Sequence, residues 1–218
     1  MKSKRLVLAT RNSAKVREIN AIYGGIGALL SSLEDWPEIG DLPEEGQSYA
    51  ENAAGKALIV ARATGYLALA DDSGVEIDAL DGGPGVRSRR VLGEAASDEA
   101  RNAHVLSQLA GLPASRRTAR YRAVIAVATP DGRVETFEGV CEGVIAERPR
   151  GSGGFGYDPI FEIAGDGRTM AEVPPEVKNE ISHRARALGA ARSAVTRALE
   201  RAGQEGSPTD ANSRRSQS

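Results

Sequence analysis

Two adjacent carboxylates, Asp71 and Asp72, are the residues of this 218-residue chain whose types and position point most directly to chemistry. They follow the apolar run of residues 66–70, whose length predicts a buried strand that ends at a polar rim. In open α/β sheets, ligands bind just outside the carboxyl ends of strands. Two carboxylates held side by side there repel each other unless a cation or a proton lies between them. The pair therefore predicts a divalent metal site or a carboxylate whose raised pKa allows it to act as a base, with a simple Asx-type turn as the alternative.

Three lysines are candidate ligands for phosphate. The chain contains 28 basic residues, of which only five are lysine. Two of the five lie at the amino terminus, and the other three, Lys15, Lys56 and Lys178, lie in segments that contain other chemically active side chains. Lysine is a compact point charge and arginine a planar fork, so the two are not interchangeable at a phosphate site. A chance distribution in an arginine-rich composition is the alternative.

A turn between the first predicted strand and the first predicted helix has the composition of an anion site. It consists of Thr10, Arg11, Asn12, Ser13, Ala14 and Lys15. Backbone N–H groups at a helix N-terminus and the helix dipole attract anions, and Lys15 adds a full positive charge. The glycines and the Gly-Lys-Ser/Thr ending of a Walker loop are missing from this turn. A helix start capped by Asn12 or Ser13 is the alternative.

A glycine-rich loop at residues 151–159 predicts contact with a flat ligand. Phe155, Tyr157 and Phe161 are three of the nine aromatic residues and lie within seven positions. Glycine lets the backbone approach a ring, and an aromatic side chain offers that ring a stacking face. Asp158 can accept hydrogen bonds from a ring nitrogen or a ribose hydroxyl. Packing of the aromatic side chains in the core is the alternative.

A short polar stretch before the last predicted helix can bind a purine base or a phosphate. Lys178, His183 and Arg184 lie within seven positions and can bond the carbonyl and ring nitrogens of a purine. His104, the only other histidine, has no companion at the spacing of zinc ligands, so a zinc site is not expected. Capping of the helix by Ser182 and His183 is the alternative.

The composition is that of an ordinary globular protein. Hydrophobic residues make up 40% and charged residues 27% of the chain, and the formal net charge is -2. This charge argues against a general binding surface for nucleic acid. No apolar stretch has the length of a membrane span or the form of a signal-peptide core. The single cysteine, Cys141, excludes an internal disulfide and predicts a cytoplasmic protein.

The elements that must position the candidate residues alternate along the chain and predict an α/β fold. Apolar runs predict strands at residues 5–9, 66–70, 121–129 and 134–144, the last two as a hairpin. Helical spacing and capping signals predict helices at residues 16–23, 48–64, 97–109 and 182–202, with loop-like composition at 31–47.

One domain is expected over residues 1–202, followed by a disordered tail at residues 203–218. The tail contains no Val, Ile, Leu, Met or aromatic residue. Such a segment cannot bury enough apolar surface to offset the entropy lost on ordering.

Six motifs, in this order, are similar to those of the Ham1-like inosine triphosphate pyrophosphatases, which include the dITP/XTP pyrophosphatases. They lie at residues 10–15, 51–57, 70–74, 82–85, 154–159 and 182–184, so that the resemblance covers roughly residues 4 to 200. It implies hydrolysis of the non-canonical purine nucleotides ITP, dITP and XTP to the monophosphate and pyrophosphate, with Mg²⁺ as cofactor. It also implies an elongated mixed β-sheet flanked by helices, two lobes with a central cleft, and a homodimer.

The resemblance implies roles for the carboxylates of the chain. Asp72 corresponds to the catalytic base or metal-organising carboxylate, and Ser73 lies at the substrate. Glu44 corresponds to the second metal ligand, with the neighbouring Glu45 as an alternative register. Whether Asp71 or Asp72 orients the attacking water stays open.

The resemblance also implies two binding regions. The phosphates are held by the turn at residues 10–15 together with Lys56. The base pocket consists of Phe155, Gly156, Tyr157, Asp158, Lys178, His183 and Arg184. Residues 87–91, Arg-Ser-Arg-Arg-Val, depart from the family pattern, which usually carries aromatic residues there.

Two other functions stay open at the level of sequence. One is a house-cleaning pyrophosphatase of the Maf type, which acts on modified pyrimidine triphosphates. The other is a nucleotide-binding sensor without turnover, which would need the aromatic loop and the basic residues but no acidic pair. The presence of Asp71 and Asp72 argues against the sensor.

Overall fold

Two stretches of the chain, residues 4–93 and 95–205, are described by the computed structural model, and within them the chain forms six strands and five α-helices. The strands are β1 (Arg5–Leu8), β2 (Leu29–Ser32), β3 (Leu67–Ile77), β4 (Thr118–Ala128), β5 (Val134–Ile145) and β6 (Phe161–Ile163). The helices are α1 (Ser13–Tyr23), α2 (Tyr49–Thr64), α3 (Asp98–Gln108), α4 (Pro175–Ile181) and α5 (His183–Glu205). The strands form one mixed sheet in the order β2-β1-β3-β4-β5-β6. The predicted α/β class, with a mixed sheet flanked by helices, is confirmed.

The long strand β3 joins a parallel half of the sheet to an antiparallel half. Residues 67–69 pair in parallel with β1, whereas residues 68–77 pair antiparallel with β4. The prediction that this strand ends at Ala70 is wrong, because β4 continues to satisfy the backbone hydrogen bonds of β3 after β1 has ended. Asp71 and Asp72 therefore lie inside β3, just past the carboxyl end of β1.

Helices cover both faces of the parallel half. Successive side chains of a strand point to opposite faces. Leu69 belongs to an apolar cluster with Leu188 of α5, whereas the adjacent Ala68 belongs to a cluster with Ala57 of α2. Burial on both faces explains why β1 and the start of β3 are nearly continuous apolar runs.

The antiparallel half of the sheet packs a third apolar cluster. Val75 of β3 and Tyr121 of β4 pack there with Phe161 of β6 and Val105 of α3. The first two clusters pack on the two faces of β1 and the start of β3, whereas the third packs around the end of β3 and β6, so the core has two lobes along the sheet. The site described below lies where residues from both lobes meet.

Three short elements were not predicted, whereas the hairpin of β4 and β5 and helices α1, α2 and α3 are confirmed. Strands β2 and β6 have only 4 and 3 residues and lie at the two edges of the sheet, so they carry too little alternation to be recognised. Helix α4 follows Pro174 and begins with a second proline, a residue that is tolerated at a first helical position.

Helix α5 continues to Glu205, past its predicted end at Ala202. The predicted tail from residue 206 onward lies outside the described residues, and the single-domain assignment stays a prediction. Among the helices of the described stretches, none combines the length and the apolar character needed to cross a lipid bilayer.

Candidate active site

The carboxyl end of β1 opens into a cavity of about 910 Å³. Its walls come from the turn before α1, the loop at residues 41–45, Lys56 of α2, β3, the loop at 88–90, the start of α3, the loop at 155–158, Lys178 of α4 and the start of α5. This volume is within the range of sites for small-molecule ligands. The cavity brings together the candidate residues proposed from the sequence except Phe161, which is fully buried, and Asp72, whose carboxylate contacts Lys56 of the cavity wall.

The turn before α1 is organised by Asn12. Its Oδ1 accepts hydrogen bonds from the backbone N–H groups of Ala14 (3.0 Å) and Lys15 (3.3 Å), which makes Asn12 the N-cap of α1. The guanidinium of Arg11 donates to backbone carbonyls at residues 39–40. The capping alternative therefore applies to Asn12, and what the turn offers an anion is the charge of Lys15 and Arg11.

Asp71 and Asp72 point to opposite faces of β3, because successive strand side chains alternate. Asp71 contacts Lys15 and Arg184, on the face covered by α1 and α5. Asp72 contacts Lys56, on the face covered by α2. Each carboxylate therefore has its own cationic partners, and of the two expectations, a shared cation and a carboxylate with a raised pKa, these contacts favour the second.

Asp71 is saturated with hydrogen bonds. Its buried carboxylate forms an ion pair with Lys15 and accepts hydrogen bonds from Arg184 Nε (2.8 Å), Arg184 Nη2 (3.2 Å) and Ser73 Oγ (3.0 Å). Burial disfavours the ionised form, but the charges of Arg184 and Lys15 outweigh it and hold the pKa of Asp71 well below its usual range. So acidic a carboxylate is a weak base, and its contacts suit it to holding Lys15 and Arg184 in place.

Asp72 is the stronger base of the two. Its Oδ2 accepts a hydrogen bond from Asn52 Nδ2 (3.2 Å), and its Oδ1 lies 3.0 Å from Lys56 Nζ. Burial raises the pKa of Asp72, and the opposing charges of Lys56 and Lys15 do not fully offset this effect. A raised pKa brings a carboxylate closer to the working range of a general base, so the environment favours Asp72 for that role.

Glu44 and Asp72 converge on one atom, the ammonium nitrogen of Lys56. Glu44 Oε1 lies 2.6 Å and Asp72 Oδ1 3.0 Å from this nitrogen. Burial opposes the ionisation of Glu44, but the charge of Lys56 prevails and lowers the pKa of Glu44. Mg²⁺ is commonly bound by one or two carboxylates, with waters and substrate phosphates as its other ligands. This donor set fits such an ion, and the described stretches contain no cluster of three or more His, Cys, Asp or Glu side chains suited to a metal.

Glu18, which the sequence interpretation did not single out, lies between two cations of the cavity wall. Its carboxylate oxygens lie 2.9 Å from Lys178 Nζ and 2.6 Å from Arg184 Nη1. Burial opposes the ionisation of Glu18, but the charges of Arg184 and Lys178 prevail and lower its pKa. The spacing of residues in α1 could have indicated Glu18 as a site residue, because Glu18 follows Lys15 by three residues and so lies on the same face of the helix.

Alternating charges connect the two ends of the site in one continuous network. The network consists of Lys15, Asp71, Arg184, Glu18, Lys178 and Asp158, in that order. Asp71, Glu18 and their cationic partners come from β3, α1, α4 and α5. Asp71 contacts Lys15 and Arg184, and Glu18 contacts Arg184 and Lys178. The position of Lys15 at one end of the site therefore depends on the positions of Arg184 and Lys178 at the other.

Phe155 is the aromatic residue that is half-buried at the cavity wall. Its ring centroid lies 4.7 Å from Lys178 Nζ and 5.5 Å from Arg184 Cζ. Its backbone N–H donates to Asp158 Oδ2 at 2.8 Å. The ring therefore lies beside the two cations, where a planar ligand can contact all three side chains.

The other two aromatic residues of this segment pack in the core. Tyr157 contributes to the cavity wall but is buried, and its hydroxyl donates to the backbone carbonyl of Ser88 at 2.7 Å. Phe161 is fully buried, with its ring centroid 4.2 Å from that of Tyr121. The core-packing alternative applies to both, so the stacking hypothesis depends on Phe155.

His183 is a buried, neutral imidazole at the start of α5. Its ring stacks on that of Tyr121, with centroids 4.5 Å apart and planes at 17°. Burial lowers the pKa of His183 well below its usual value, and the charge of Arg184 acts in the same direction. Among the described residues, no partner bonds its Nδ1. Capping is instead performed by Ser182, whose Oγ accepts from the backbone N–H of Ala185 at 3.2 Å.

The neutral His183 predicts a pH dependence of stability. In the unfolded chain it takes up a proton near pH 6.5, whereas in the folded protein it stays neutral well below that pH. The unfolded state therefore binds more protons, and the free energy of unfolding falls by up to about 1.4 kcal/mol per pH unit as the pH drops below 6.5. We expect His183→Gln to remove this part of the slope between about pH 6 and pH 5 in urea unfolding experiments.

His104→Gln is the matched control, because it removes the chain's other histidine from a partly exposed position on α3. We expect this control to keep the wild-type slope. An unchanged slope in His183→Gln, or an equal loss in both variants, would contradict the prediction.

Known proteins are similar to this chain over most of its length. The Ham1 family model matches residues 6–194, a range that contains every residue of the candidate site. A dITP/XTP pyrophosphatase of Geobacter sulfurreducens is 54% identical over 184 residues, which are 84% of this chain and 92% of the relative. A dITP/XTP pyrophosphatase of Symbiobacterium thermophilum is 52% identical over 188 residues, which are 86% of this chain and 93% of the relative.

Solved structures agree with the fold. A HAM1 protein from Coxiella burnetii matches with a TM-score of 0.81 at 40% identity, covering 89% of this chain and 100% of that chain. A nucleoside-triphosphatase / dITP/XTP pyrophosphatase from Mycobacterium abscessus matches with a TM-score of 0.70 at 43% identity, covering 85% of this chain and 97% of that chain.

Proposed function

The chain belongs to the Ham1 family, and on that premise we propose that it hydrolyses the non-canonical purine nucleotides ITP, dITP and XTP to the monophosphate and pyrophosphate. The relatives that are dITP/XTP pyrophosphatases support this activity. The observation that carries the proposal is one cavity with two chemically different ends, a lysine and carboxylate end around Lys56 and an aromatic and cationic end around Phe155. The protein is accordingly a nucleoside triphosphate pyrophosphatase, a hydrolase of acid anhydrides that acts in nucleotide-pool sanitation.

The triphosphate binds at the lysine end of the cavity. Asp72 accepts the proton of a water molecule whose oxygen attacks phosphorus, and the bond to the leaving pyrophosphate breaks. Lys15 and Lys56 stabilise the negative charge that develops on this leaving group. Burial raises the pKa of Asp72, which supports its role as the base.

Glu44 and Asp72 are the residues that would hold Mg²⁺. When bound, the ion supplies positive charge that neutralises phosphate oxygens. The convergence of the two carboxylates on Lys56 Nζ, at 2.6 and 3.0 Å, supports this assignment, because it places them around one cationic position.

Selectivity for a purine with a 6-oxo group follows from donors in the base pocket. Lys178 has three N–H groups, and its contacts with Asp158 and Glu18 use two of them. A 6-oxo group accepts the remaining hydrogen bond, whereas the 6-amino group of ATP cannot, and each buried donor left unpaired costs about 1–3 kcal/mol. At the upper end of this range, the one mismatch at Lys178 gives a discrimination on the order of a hundredfold.

A panel of substrates tests the proposed function. We expect pyrophosphate release from ITP, dITP and XTP with kcat/KM on the order of a hundredfold above that for ATP. GTP shares the 6-oxo group, so its rate reports separately on exclusion of the 2-amino group. A preference for modified pyrimidine triphosphates would instead support the Maf-type alternative, and binding of ITP without turnover would support the sensor. Neither alternative is favoured by an observation on the site or by the relatives.

The same assay tests the metal assignment. Chelation with EDTA should abolish activity, and Glu44→Gln should raise the Mg²⁺ concentration needed for half-maximal activity. Glu45→Gln is the control, because Glu45 is the neighbouring carboxylate in the alternative register. A larger effect in Glu45→Gln than in Glu44→Gln would move the assignment to Glu45.

The homodimer and the cytoplasmic location remain proposals. The first rests on the family resemblance and the second on the single cysteine. Sedimentation equilibrium tests the dimer, which would be contradicted by a particle with the mass of one chain, and cell fractionation tests the location.

A further inference from the structure

Two side chains in the first turns of α3 form hydrogen bonds with the backbone of Gly156, in the loop that contains Phe155. Asp98 Oδ2 accepts a hydrogen bond from the Gly156 N–H at 2.7 Å, and Asn102 Nδ2 donates to the Gly156 carbonyl at 3.1 Å. Asp98 and Asn102 are four residues apart and so lie on one face of the helix. Together they fix the peptide units on both sides of Gly156, which has a positive φ of 64°.

A buried arginine holds Asp98 in the orientation that this contact needs. Arg101 Nη2 donates to Asp98 Oδ1 at 2.6 Å, which leaves Oδ2 for Gly156. Arg101 Nη1 also donates to the backbone carbonyls of Ala96 (2.6 Å) and Arg89 (3.1 Å). The carboxylate is therefore held by a guanidinium that is itself bonded to two segments of backbone.

The contact is not explained by capping of α3. Ser97 is the N-cap, and its Oγ accepts from the backbone N–H of Ala100 at 3.1 Å. Asn102 is buried, and among the described residues its Oδ1 has no hydrogen-bond partner. Burying an amide whose oxygen is unpaired costs free energy. The interaction that Asn102 gains in return is the hydrogen bond from its Nδ2 to the Gly156 carbonyl.

Side-chain packing does not hold Gly156 in place, because a Cβ added there would meet no atom within 4 Å. The adjacent Phe155 is anchored from the inner side by the hydrogen bond between its N–H and Asp158 Oδ2. On the other side of Phe155, the hydrogen bonds from α3 restrain the loop at Gly156, before the buried Tyr157 that bonds the Ser88 carbonyl. Loss of that restraint would allow the Phe155 ring to move relative to Lys178 and Arg184.

We propose that Asp98 and Asn102 are positioning residues that determine base selectivity by holding the Phe155 wall of the base pocket at a fixed place. This inference rests on the proposed function, which assigns Phe155 to the base. The restraint from α3 acts on the backbone of Gly156 and not on the lysines of the phosphate end, whose carboxylate partners are Asp71, Asp72 and Glu44. The two residues should therefore affect recognition of the base and leave recognition of the triphosphate unchanged.

Asp98→Ala tests the proposal, with Glu99→Ala as the matched control, because Glu99 is an exposed acid in the same helical turn. In Asp98→Ala we expect KM for ITP to rise roughly tenfold with kcat within about twofold, and the ratio of kcat/KM for ITP over ATP to fall at least about threefold. Inhibition by inorganic tripolyphosphate, which has no base, should stay within about twofold of wild type. Asp98→Asn keeps one acceptor oxygen where Arg101 and Gly156 need two, so it should recover only part of the selectivity, whereas Asn102→Ala should reproduce the effect of Asp98→Ala.

Hydrogen exchange provides a readout that does not depend on activity. The amide of Gly156 should exchange faster in Asp98→Ala than in wild type or Glu99→Ala, because its acceptor has been removed. Faster exchange with an unchanged ITP/ATP ratio, or equal weakening of ITP and tripolyphosphate, would overturn the proposal in favour of a purely structural role. Unchanged exchange would overturn it as well. A wild-type protein that does not hydrolyse ITP would instead refute the proposed function, which the exchange measurement does not probe.

Discussion

Asp72→Asn is expected to lower kcat for ITP hydrolysis by about 10²–10⁴-fold, with KM changed by less than about threefold. Asparagine keeps the shape of the side chain but cannot accept a proton from the attacking water. The fold should persist, because the neighbours of this carboxylate, Asn52 and Lys56, are retained. Steady-state pyrophosphate release, measured over a range of Mg²⁺ concentrations, checks the result. Activity restored by excess Mg²⁺ would mean that Asp72 serves only as a metal ligand and would contradict its second role as the base.

Two further aspartates make this experiment selective. Asp41→Asn changes an exposed acid of the cavity wall and should leave kcat within about twofold of wild type. Asp71→Asn removes a partner of Lys15 and Arg184, so we expect it to change KM and stability together with kcat. Wild-type kcat in Asp72→Asn, or a pure kcat loss in Asp71→Asn alone, would reverse the roles given to the two residues.

Arg184→Lys is expected to lower the free energy of unfolding by about 3–5 kcal/mol. The guanidinium is buried and donates to Asp71 (2.8 and 3.2 Å), Glu18 (2.6 Å) and Ser73 (3.0 Å). A lysine ammonium lacks the planar fork that reaches all three partners, so buried carboxylate oxygens lose their donors. Urea unfolding measures the loss of stability. We also expect kcat/KM for ITP to fall on the order of a hundredfold, because Lys15 and Lys178 share their carboxylate partners with this arginine.

Arg186→Lys is the matched control, two residues further along α5. Arg186 is exposed, and its Nη1 donates to the backbone carbonyl of Val140 at 2.6 Å. Its replacement should change the free energy of unfolding by less than about 1 kcal/mol. Equal losses in the two variants would mean that the network around Arg184 adds nothing beyond one side-chain hydrogen bond.

The helices and the hairpin of this protein follow from short-range patterns in the sequence. Helix α1 begins where Asn12 bonds the N–H groups of the next turn, and α2 begins where Ser48 Oγ accepts from the N–H of Glu51 at 3.2 Å. These interactions join residues two or three positions apart, so residue types and spacing are sufficient to predict them. The residues of the candidate site could also be predicted from short-range patterns, because each motif that contains them is a short segment of the chain.

The extent of β3 could not be predicted in this way. In a local pattern, two adjacent charged residues indicate the end of a strand. The hydrogen bonds that continue β3 come from β4, whose Ile125 and Val124 lie opposite Asp71 and Asp72. The short edge strands were missed for a related reason, since their pairing is set by neighbours that are distant in the chain.

The α/β class, most of the elements and the types of residue available for chemistry could be predicted from the sequence, because they depend on local patterns. Which carboxylate meets which cation depends on contacts between segments that are distant in the chain. Alternation along β3 separates Asp71 from Asp72, while folding brings Arg184 to Asp71 across 113 positions and Gly156 to Asp98 across 58. The pKa of a carboxylate depends on its burial and on charges within a few ångströms. The different roles of Asp71, which holds Lys15 and Arg184, and of Asp72, which is the stronger base, therefore depend on contacts that no local pattern encodes.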